Sequence, residues 1–247
     1  MCGGSEEQRE AAAAFSPDPR RMEVFAEAMT PPGPDFLRDL EREARAQGVP
    51  VIRPQTQDLL RFFVTLRKPA GILEVGAAVG FSALLMGYYA PRECRIVTIE
   101  LDPGRAAQAR DNFKKYGADN ISLLEGDAAQ VLPQIGGDGT FDLIFMDAAK
   151  GQYIRFLPET LRLLAPGGLL ITDNILQEGD VLASRFAVTR RNRTIHRRMR
   201  DYLRALMEEP ALETLLLPNG DGAAVSVKKA NAADRPRRRA ARLKENI

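Results

Sequence analysis

The chain has 247 residues, a net charge of +2 and two cysteines, with 45% hydrophobic and 28% charged residues. This composition is typical of one globular α/β domain, with or without tails, and so few cysteines argue against a disulfide framework or a thiolate metal site. No apolar run approaches the roughly 20 residues that span a bilayer, and no secretory signal is recognisable, so we expect a cytoplasmic protein with reduced thiols.

The N-terminal part of the chain is predicted to be a leader followed by two helices. We expect residues 1–16 to form a weak helix or a disordered leader. The PPGPDF segment at residues 31–36 interrupts the chain, and Asp35 can cap a helix that ends near Gln47. Apolar residues at helical spacing then predict an amphipathic helix over residues 55–67.

From residue 70 onwards, short apolar runs alternate with helical segments. The runs, in chain order, are GILEVG, RIVTIE, NISLLEG, FDLIFMD and GGLLITDN. This alternation predicts parallel strands joined by right-handed helical crossovers, and the continuous apolar runs predict strands that are buried on both faces. After a long arginine-rich helix at about residues 190–208, LETLLLP and AAVSVKK flank NGDG, which predicts a C-terminal antiparallel hairpin.

Basic residues are concentrated in two C-terminal segments. Residues 231–247 hold six Lys or Arg against two acids and have no core pattern, which predicts a disordered basic tail. Residues 185–204 hold eight Arg, with Asp201 as the only acid. Such a run usually forms the solvated face of a helix, but two basic segments near one end also favour a polyanionic partner.

In an open parallel sheet, ligands bind beyond the carboxyl ends of the strands, and every predicted strand here ends in an acid or an amide. The first strand ends at Glu74, before a G-x-x-x-G turn from Gly76 to Gly80. This turn lacks the middle glycine of the dinucleotide fingerprint, which disfavours pyrophosphate binding. Glu100 can accept both hydroxyls of a ribose, or it can be a surface acid at a helix start. Asp127 can cap the next helix or accept a hydrogen bond from the exocyclic amine of adenine.

Asp147, Asp173 and Asn174 lie at the ends of two neighbouring predicted strands. Two carboxylates and an amide, without His or Cys, are ligands that suit a hard cation such as Mg²⁺. Without a cation, two close carboxylates repel each other and one takes up a proton. The alternative is that Asp173 and Asn174 only cap the following segment. We favour the metal site, because the pair recurs with an aspartate at the adjacent strand end.

Five motifs resemble, in chain order, those of the cation-dependent class I S-adenosylmethionine O-methyltransferases of the catechol and caffeoyl-CoA type. They are ILEVGAAVGFSALLM, IVTIELD, EGDA, FMDAAKGQY and ITDNIL, and the likeness covers roughly residues 50–229. It implies a Rossmann-like α/β fold, with a seven-stranded, mostly parallel sheet, a C-terminal antiparallel hairpin and helices on both faces. The implied methyltransferase domain is residues 49–230, between an N-terminal leader and helical segment at 1–48 and the basic tail at 231–247.

The resemblance also implies a role for each matching residue. Contacts to S-adenosylmethionine are implied for Ile52, Glu74, Gly76, Ser82, Glu100, Asp127, Ala128 and Asp147. The implied Mg²⁺ ligands are Asp147, Asp173 and Asn174. Lys150 matches the general base of the family, and with Asp147 it completes the implied catalytic pair. Phe81 departs from the catechol-type relatives, which carry Tyr there, so a hydroxyl contact to the cofactor is lost.

Lys150 has two interpretations. Methyl transfer from a sulfonium to an oxygen needs an oxyanion, and the lysine can take the proton or stabilise the anion. It can instead form an ion pair with Asp147 at the strand end, although exposed pairs contribute only about 0–1 kcal/mol to stability.

His196, the only histidine, belongs to no cofactor motif and is expected to pack in the fold or to lie at the surface.

RRNRTIHRRMRDYL and ETLLLPNGDGAAVSVK most resemble the bacterial branch that converts 5-hydroxyuridine to 5-methoxyuridine at the tRNA wobble position. This likeness implies a homodimer and a tRNA partner bound through residues 185–204. Transfer to a small catechol-like or phenolic substrate is an alternative with the same chemistry. A non-catalytic RNA-binding protein on the same fold is a third hypothesis, which the intact set of candidate ligands and Lys150 argues against. A dehydrogenase is disfavoured by the missing glycine.

Overall fold

A computed structural model describes residues 18–184 and 186–230 of the chain. The predicted leader at residues 1–16, Arg185 and the predicted basic tail at residues 231–247 lie outside the described residues. Within the described ranges, no helix is both long and apolar enough to cross a lipid bilayer.

The described residues belong to two compact units, which divide between Gly33 and Pro34. The first unit contains a helix that the sequence pattern did not predict, α1 (Pro19–Met29). Its large exposed apolar side chains are Met22, Val24, Phe25 and Met29. The predicted boundary between a leader segment and the main domain at residue 48 stays a prediction.

The second unit holds seven helices and seven strands within the described residues. They are α2 (Asp35–Ala46), α3 (Pro54–Arg67), β1 (Gly71–Val75), α4 (Phe81–Tyr89), β2 (Arg95–Glu100), α5 (Pro103–Lys115), β3 (Ile121–Glu125), α6 (Ala128–Val131), β4 (Phe141–Met146), α7 (Tyr153–Leu163), β5 (Leu164–Asp173), α8 (Arg193–Glu208), β6 (Leu212–Leu217) and β7 (Ala223–Lys228). Single 3₁₀ turns cover Leu132–Gln134, Lys150–Gln152 and Asp180–Leu182. The alternation confirms the α/β class that the apolar runs predict.

All seven strands form one sheet in the order β3-β2-β1-β4-β5-β7-β6. The first five strands along the chain pair in parallel, and β7 pairs antiparallel with both β5 and β6. The predicted mostly parallel sheet with a C-terminal antiparallel hairpin is therefore confirmed. The strand order reverses direction between β1 and β4, and a crevice for a ligand opens beyond the carboxyl ends of strands at such a point.

Helices cover both faces of the sheet. Successive side chains of a strand point to opposite faces, so neighbouring residues of β1 pack in different core clusters. Ile72 of β1 packs in a core cluster with residues of α2, α3, α4 and α5, including Leu60 and Met86. The next residue, Leu73, packs in a second cluster with residues of α6, α7 and α8, including Tyr202. Burial of the central strands on both faces explains why they read as continuous apolar runs.

Three local expectations differ from the structure. Asp35 is the first residue of α2 and does not cap it, because its carboxylate pairs with Arg38 while Pro34 occupies the cap position. The helical crossover expected between the NISLLEG and FDLIFMD runs is only the short α6 followed by a 3₁₀ turn, since Pro133 has no N–H to extend the α-helical ladder. β5 begins at Leu164, several residues before the predicted GGLLITDN run.

Removing a side chain from the centre of the sheet tests this core. Phe145 of β4 is fully buried, so Phe145→Ala leaves a cavity and lowers the free energy of unfolding by about 3–5 kcal/mol. Met207 of α8 is 58% exposed, so Met207→Ala changes that free energy by about 0.5 kcal/mol or less. Urea unfolding followed by circular dichroism measures both values. Equal losses in the two variants would contradict the assignment of Phe145 to the core.

Candidate active site

A cavity of about 820 Å³ opens at the carboxyl edge of the sheet, beside the ends of β1, β2 and β4. Eight of the predicted site residues line it: Ile52, Gly76, Ser82, Glu100, Asp127, Ala128, Asp147 and Asn174. The other three, Glu74, Lys150 and Asp173, are outside the described lining, and two of them, Glu74 and Asp173, are buried. The fold thus brings residues from six separate segments, the ends of five strands and the stretch before α3, to one crevice, as expected for an open parallel sheet.

The loop after β1 crosses the end of β4 so closely that it requires glycine. Gly76 has a φ of +106°, and a Cβ there would lie 2.1 Å from the carbonyl oxygen of Asp147. Its N–H donates to the carbonyl oxygen of Ile99 at 2.9 Å, which ties the loop to β2. Gly80 has a φ of +83°, and a Cβ there would lie 2.4 Å from the ring of Phe113. Gly76 allows the backbone itself to form part of the cavity wall, and Gly80 allows the loop to pack against α5.

Glu100 ends β2 with its carboxylate held by two backbone groups. The N–H of Ala78 donates to Oε2 at 2.7 Å, and the N–H of Asp102 donates to Oε1 at 2.9 Å. The residue is 7% exposed, so the alternative of a surface acid is wrong. A carboxylate has about four acceptor sites, and two remain for hydroxyl donors in the cavity.

Asp127 occupies the N-cap of α6, where Oδ1 accepts a hydrogen bond from the N–H of Ala129 at 2.9 Å. The capping interpretation is therefore confirmed. Because Asp127 also lines the cavity, beside Ala128, a carboxylate in this place can serve a ligand as well as the helix. Its contact with adenine stays a prediction.

Asp147 and Asp173 are carboxylates at the ends of adjacent strands; Asp173 is buried, and Asp147 is half-buried at the cavity wall. Burial raises the pKa of Asp147 to about 7, the charge of Asp173 raises it further, and the charge of Lys150 opposes the rise. Burial also raises the pKa of Asp173. Two negative charges in so dry a place need a proton or a cation between them.

The hydrogen bonds of Asp173 leave one carboxylate oxygen without a partner. Oδ1 accepts from the hydroxyl of Thr56 at 3.0 Å and from the N–H of Asn174 at 2.8 Å. Oδ2 is buried and has no hydrogen-bond partner among the described residues. Asp147 and Asn174, which line the cavity, add the carboxylate and amide oxygens that Mg²⁺ prefers. The residues present therefore fit a magnesium ion, although no group of three or more His, Cys, Asp or Glu suited to a metal occurs in the described ranges.

Lys150 stands in a 3₁₀ turn just after β4, and its ion pair is not the one expected. Its Nζ lies 3.2 Å from Oδ2 of Asp221, whose side chain is 3% exposed. The interpretation of Lys150 as the ion-pair partner of Asp147 is therefore corrected: the pair forms across the fold, with the turn between β6 and β7.

Sequence reasoning missed Thr56 and Asp221 as site residues. Their contacts join residues that are 117 and 71 positions apart in the chain. The NGDG segment was interpreted only as a hairpin turn, and its aspartate carried no sign that it would be buried. The available signal for Asp221 was its place in the hairpin. β7 of this hairpin pairs with β5, and two candidate metal ligands lie at the end of β5.

α8 presents basic residues to solvent beside this site. Arg197, Arg200 and Arg204 are exposed and share one helix face, since they are spaced by three and four residues. Arg198 donates to the carbonyl oxygen of Gly151 at 3.3 Å, next to Lys150.

The predicted packing of His196, also on α8, is confirmed. The residue is buried, and its Nε2 lies 3.2 Å from the carbonyl oxygen of Ala183.

The buried Glu74 predicts a pH-dependent stability. Burial raises its pKa from 4.5 to about 7, against the opposing hydrogen bond from Thr98, so the folded state keeps a proton that the unfolded state loses above pH 4.5. The free energy of unfolding of the metal-free protein should therefore fall by a few kcal/mol as pH rises through this window and level off above it. Glu74→Gln cannot ionise and should lose much of this fall.

Urea unfolding at pH 5 and pH 8 measures the effect. Glu213→Gln is the control, because its side chain is 79% exposed and should leave the pH dependence of the wild type unchanged. Equal falls in the wild type and Glu74→Gln would contradict a protonated, buried Glu74.

Comparison with known proteins places this geometry in a family. A sequence model described as O-methyltransferase matches residues 33–229. A catechol O-methyltransferase from Niastella koreensis is 36% identical over 140 residues, which are 55% of this chain and 63% of that protein. The chain thus spans less than two thirds of the length of that relative. A caffeoyl-CoA O-methyltransferase from Eucalyptus globulus is 29% identical over 210 residues, 81% of this chain and 84% of that protein.

Solved structures agree with the sequence comparison. The crystal structure of an SAH-bound methyltransferase from Podospora anserina has a TM-score of 0.75 at 28% identity, over 93% of this chain and 99% of that one. This similarity confirms the predicted Rossmann-like methyltransferase fold. The family match covers well over half of the chain. The chain therefore belongs to the O-methyltransferase family that includes the catechol and caffeoyl-CoA enzymes.

Proposed function

We propose that this protein transfers a methyl group from S-adenosylmethionine to a hydroxyl oxygen and depends on Mg²⁺. One observation carries the proposal: the buried, partnerless Oδ2 of Asp173 lies in a cluster with Asp147 and Asn174, which face the same cavity as Glu100. A cation site at one part of a crevice and a carboxylate with free acceptor sites at another suit a charged nucleoside cofactor and an oxygen acceptor. Membership of the family and the SAH-bound relative support this assignment.

The cofactor would occupy the cavity along the loops after β1, β2 and β3. Glu100 offers its two remaining acceptor sites to the ribose hydroxyls, and Asp127 and Ala128 would flank the adenine. Ser82, Ile52 and the Gly76 loop would contact the methionine part. Glu74 does not line the cavity, so its part in binding would be to support this loop from beneath, as a buried acceptor for the Thr98 hydroxyl.

Asp147, Asp173 and Asn174 would hold Mg²⁺. When bound, the cation would favour the ionised form of the acceptor hydroxyl and orient it. In the transfer, the bond from carbon to sulfur breaks with its electron pair on sulfur, and the acceptor oxygen forms the new bond to carbon. Lys150 would accept the hydroxyl proton at Nζ or stabilise the oxyanion. Holding the acceptor oxygen and the methyl carbon about 3 Å apart would lower the activation free energy by several kcal/mol.

We propose 5-hydroxyuridine at the tRNA wobble position as the acceptor, with 5-methoxyuridine as the product. The exposed arginines of α8 support a polyanionic acceptor, because none of Arg197, Arg200 and Arg204 forms an ion pair within the described residues. This helix also contacts the turn that carries Lys150, through Arg198 and Gly151. Phosphates bound on α8 would therefore lie on a helix that also packs against the turn of the candidate catalytic lysine.

A small catechol-like or phenolic acceptor is the second candidate. The names of the relatives from Niastella koreensis and Eucalyptus globulus favour it. It requires the same cofactor and metal residues and gives no role to the exposed arginines of α8.

We also propose a homodimer, which light scattering of the purified protein tests directly. The exposed apolar side chains of Phe62 and Leu66 on α3 are surfaces that a second copy can cover.

Methyl transfer from labelled S-adenosylmethionine, with and without EDTA, tests the reaction and its metal. We expect labelling that EDTA abolishes, and a loss of at least a hundredfold in Asp173→Asn, because one anionic ligand is removed. Asp138→Asn removes an exposed carboxylate that pairs with Arg162, and it should retain full activity. Full activity of Asp173→Asn, or of the wild type in EDTA, would overturn the metal assignment. The absence of transfer to tRNA and to phenols alike would favour a non-catalytic RNA-binding protein.

The acceptor is tested by supplying tRNA that bears 5-hydroxyuridine in one reaction and a catechol in another. For the tRNA, replacing Arg197, Arg200 and Arg204 together by Gln should flatten the slope of log affinity against log salt by about 2–3, as three phosphate contacts are lost. The control replaces Arg38, Arg42 and Arg45, which already pair with acids on α2, and should leave the slope unchanged. Labelling of the catechol alone, or identical salt slopes, would contradict the tRNA proposal.

A further inference from the structure

Arg53 lines the cavity and has no part in the cofactor and metal sites proposed above. It occupies the N-cap of α3, where its carbonyl oxygen accepts from the N–H groups of Thr56 and Gln57 at 2.9 and 3.0 Å. Its side chain is exposed, and it forms no ion pair within residues 18–184 and 186–230. Exposed arginines are usually solvated, so the surroundings of this one decide what it can bind.

Two contacts place Arg53 at the end of the cavity that holds the candidate metal ligands. One helical turn further along α3, the hydroxyl of Thr56 donates to Oδ1 of Asp173 at 3.0 Å. In addition, a Cβ at Gly220 would lie 3.6 Å from Cδ of Arg53. The stem of the arginine therefore packs against the backbone of the turn between β6 and β7.

The same turn reaches the candidate catalytic lysine. Asp221, the residue after Gly220, lies with Oδ2 at 3.2 Å from Nζ of Lys150. Arg53 and Lys150 thus both approach one short turn. An acceptor hydroxyl that meets the lysine and the metal ligands must lie near this turn, so the remainder of the acceptor comes within reach of Arg53.

The charged residues that line the cavity are divided between its two ends. The loops after β2 and β3 supply three acids, and the first turn of α5 supplies one arginine; they are Glu100, Asp102, Asp127 and Arg105. The described lining at the other end holds one cation, Arg53, and one acid, Asp147. Arg53 pairs with neither Asp147 nor Asp173. Its guanidinium is therefore not used to neutralise the candidate metal ligands.

The balance of charge at the metal end leaves Arg53 without a counter-charge. When Mg²⁺ is bound, the carboxylates of Asp147 and Asp173 balance its charge. Lys150 and Asp221 balance each other. The guanidinium of Arg53 stays protonated, so its positive charge attracts an anionic group in this part of the cavity and repels a cationic one.

The wall beside Arg53 also suits the rest of an aromatic acceptor. Pro50 and Val51 line the cavity next to it and offer apolar surface to a ring. A guanidinium presents its N–H groups as a planar fork, which matches the two oxygens of a carboxylate or a phosphate. This end of the cavity can thus hold a ring by its hydroxyl at one side and by an anionic substituent at the other.

We propose that Arg53 is a specificity-determining residue, which binds a carboxylate or phosphate group of the acceptor while the hydroxyl faces Lys150. The inference rests on the proposed methyl transfer. In the tRNA candidate the anion is the phosphate of the target nucleotide, and in the phenolic candidate it is a carboxylate on the ring. Because Arg53 would handle no proton, its loss should raise KM for the anionic acceptor and leave kcat nearly unchanged.

Matched acceptors with and without the anion test this role. One pair is 3,4-dihydroxybenzoate and catechol, and the other is 5-hydroxyuridine 5′-monophosphate and 5-hydroxyuridine. In at least one pair the wild type should favour the anionic member by about fivefold or more in kcat/KM, and that pair identifies the source of the anion. Arg53→Gln should reduce the preference to less than about twofold through KM alone.

Arg105→Gln is the control, because it removes the other cation of the described lining, at the opposite end of the cavity, and should keep the wild-type preference. The absence of a preference in the wild type for both pairs would overturn the proposal. An equal loss of preference in Arg53→Gln and Arg105→Gln would also overturn it, since a general field of the cavity would then be responsible.

Calorimetry with S-adenosylhomocysteine and Mg²⁺ present gives a readout that needs no turnover. The Kd of the anionic acceptor should rise about fivefold or more in Arg53→Gln, while that of its neutral partner stays within about twofold. Equal Kd values of the anionic acceptor in the two proteins would overturn the subsite even if methyl transfer is confirmed. An Arg53-dependent Kd in a protein that methylates no acceptor would support the subsite and show that the proposed function is what fails.

Discussion

Negative charge is crowded at the carboxyl edge of the parallel sheet, and the rest of the site depends on how the fold compensates for it. Parallel pairing brings the ends of β1, β4 and β5 to one edge, so Glu74, Asp147 and Asp173 meet there, Glu74 and Asp173 in the interior and Asp147 half-buried. Burial raises the pKa of Glu74 and of Asp147 to about 7. Burying unpaired charges costs free energy, so each of these carboxylates must be neutralised by a proton or paired with a cation or a hydrogen-bond donor.

The structure compensates for each acid differently, and the differences define the chemistry. Glu74 is hydrogen-bonded by Thr98 in an environment that favours its neutral form, so it can support the glycine loop without competing for a cation. Asp173 is oriented by Thr56 so that Oδ2 stays free, and Asp147 faces the same region from the cavity wall. Asp221, in the added hairpin, is paired with Lys150. The candidate metal site, the candidate catalytic lysine and the loop of the proposed cofactor site therefore all relate to one electrostatic problem.

The sequence was informative where structure is local. Continuous apolar runs ending in an acid predicted the strands and their edge. Of the eleven different site residues that the motifs named, eight line the cavity and two more, Glu74 and Asp173, are buried. Thr56 and Asp221 could not be predicted, because their partners lie far away in the chain and depend on tertiary packing. For the same reason the alternative interpretation of Lys150, an ion pair, named its sequence neighbour Asp147 instead of Asp221.

The most direct measurement of the central claim is a crystal structure of the full chain grown with S-adenosylhomocysteine and Mn²⁺, whose anomalous scattering locates the ion. The account predicts one strong anomalous peak within coordination distance of Oδ2 of Asp173, the carboxylate of Asp147 and the side-chain oxygen of Asn174, together with the ribose hydroxyls on Glu100. A cofactor product bound in the cavity with no peak at these oxygens, or with the peak elsewhere, would contradict the claim that the crowded carboxylates exist to hold a cation.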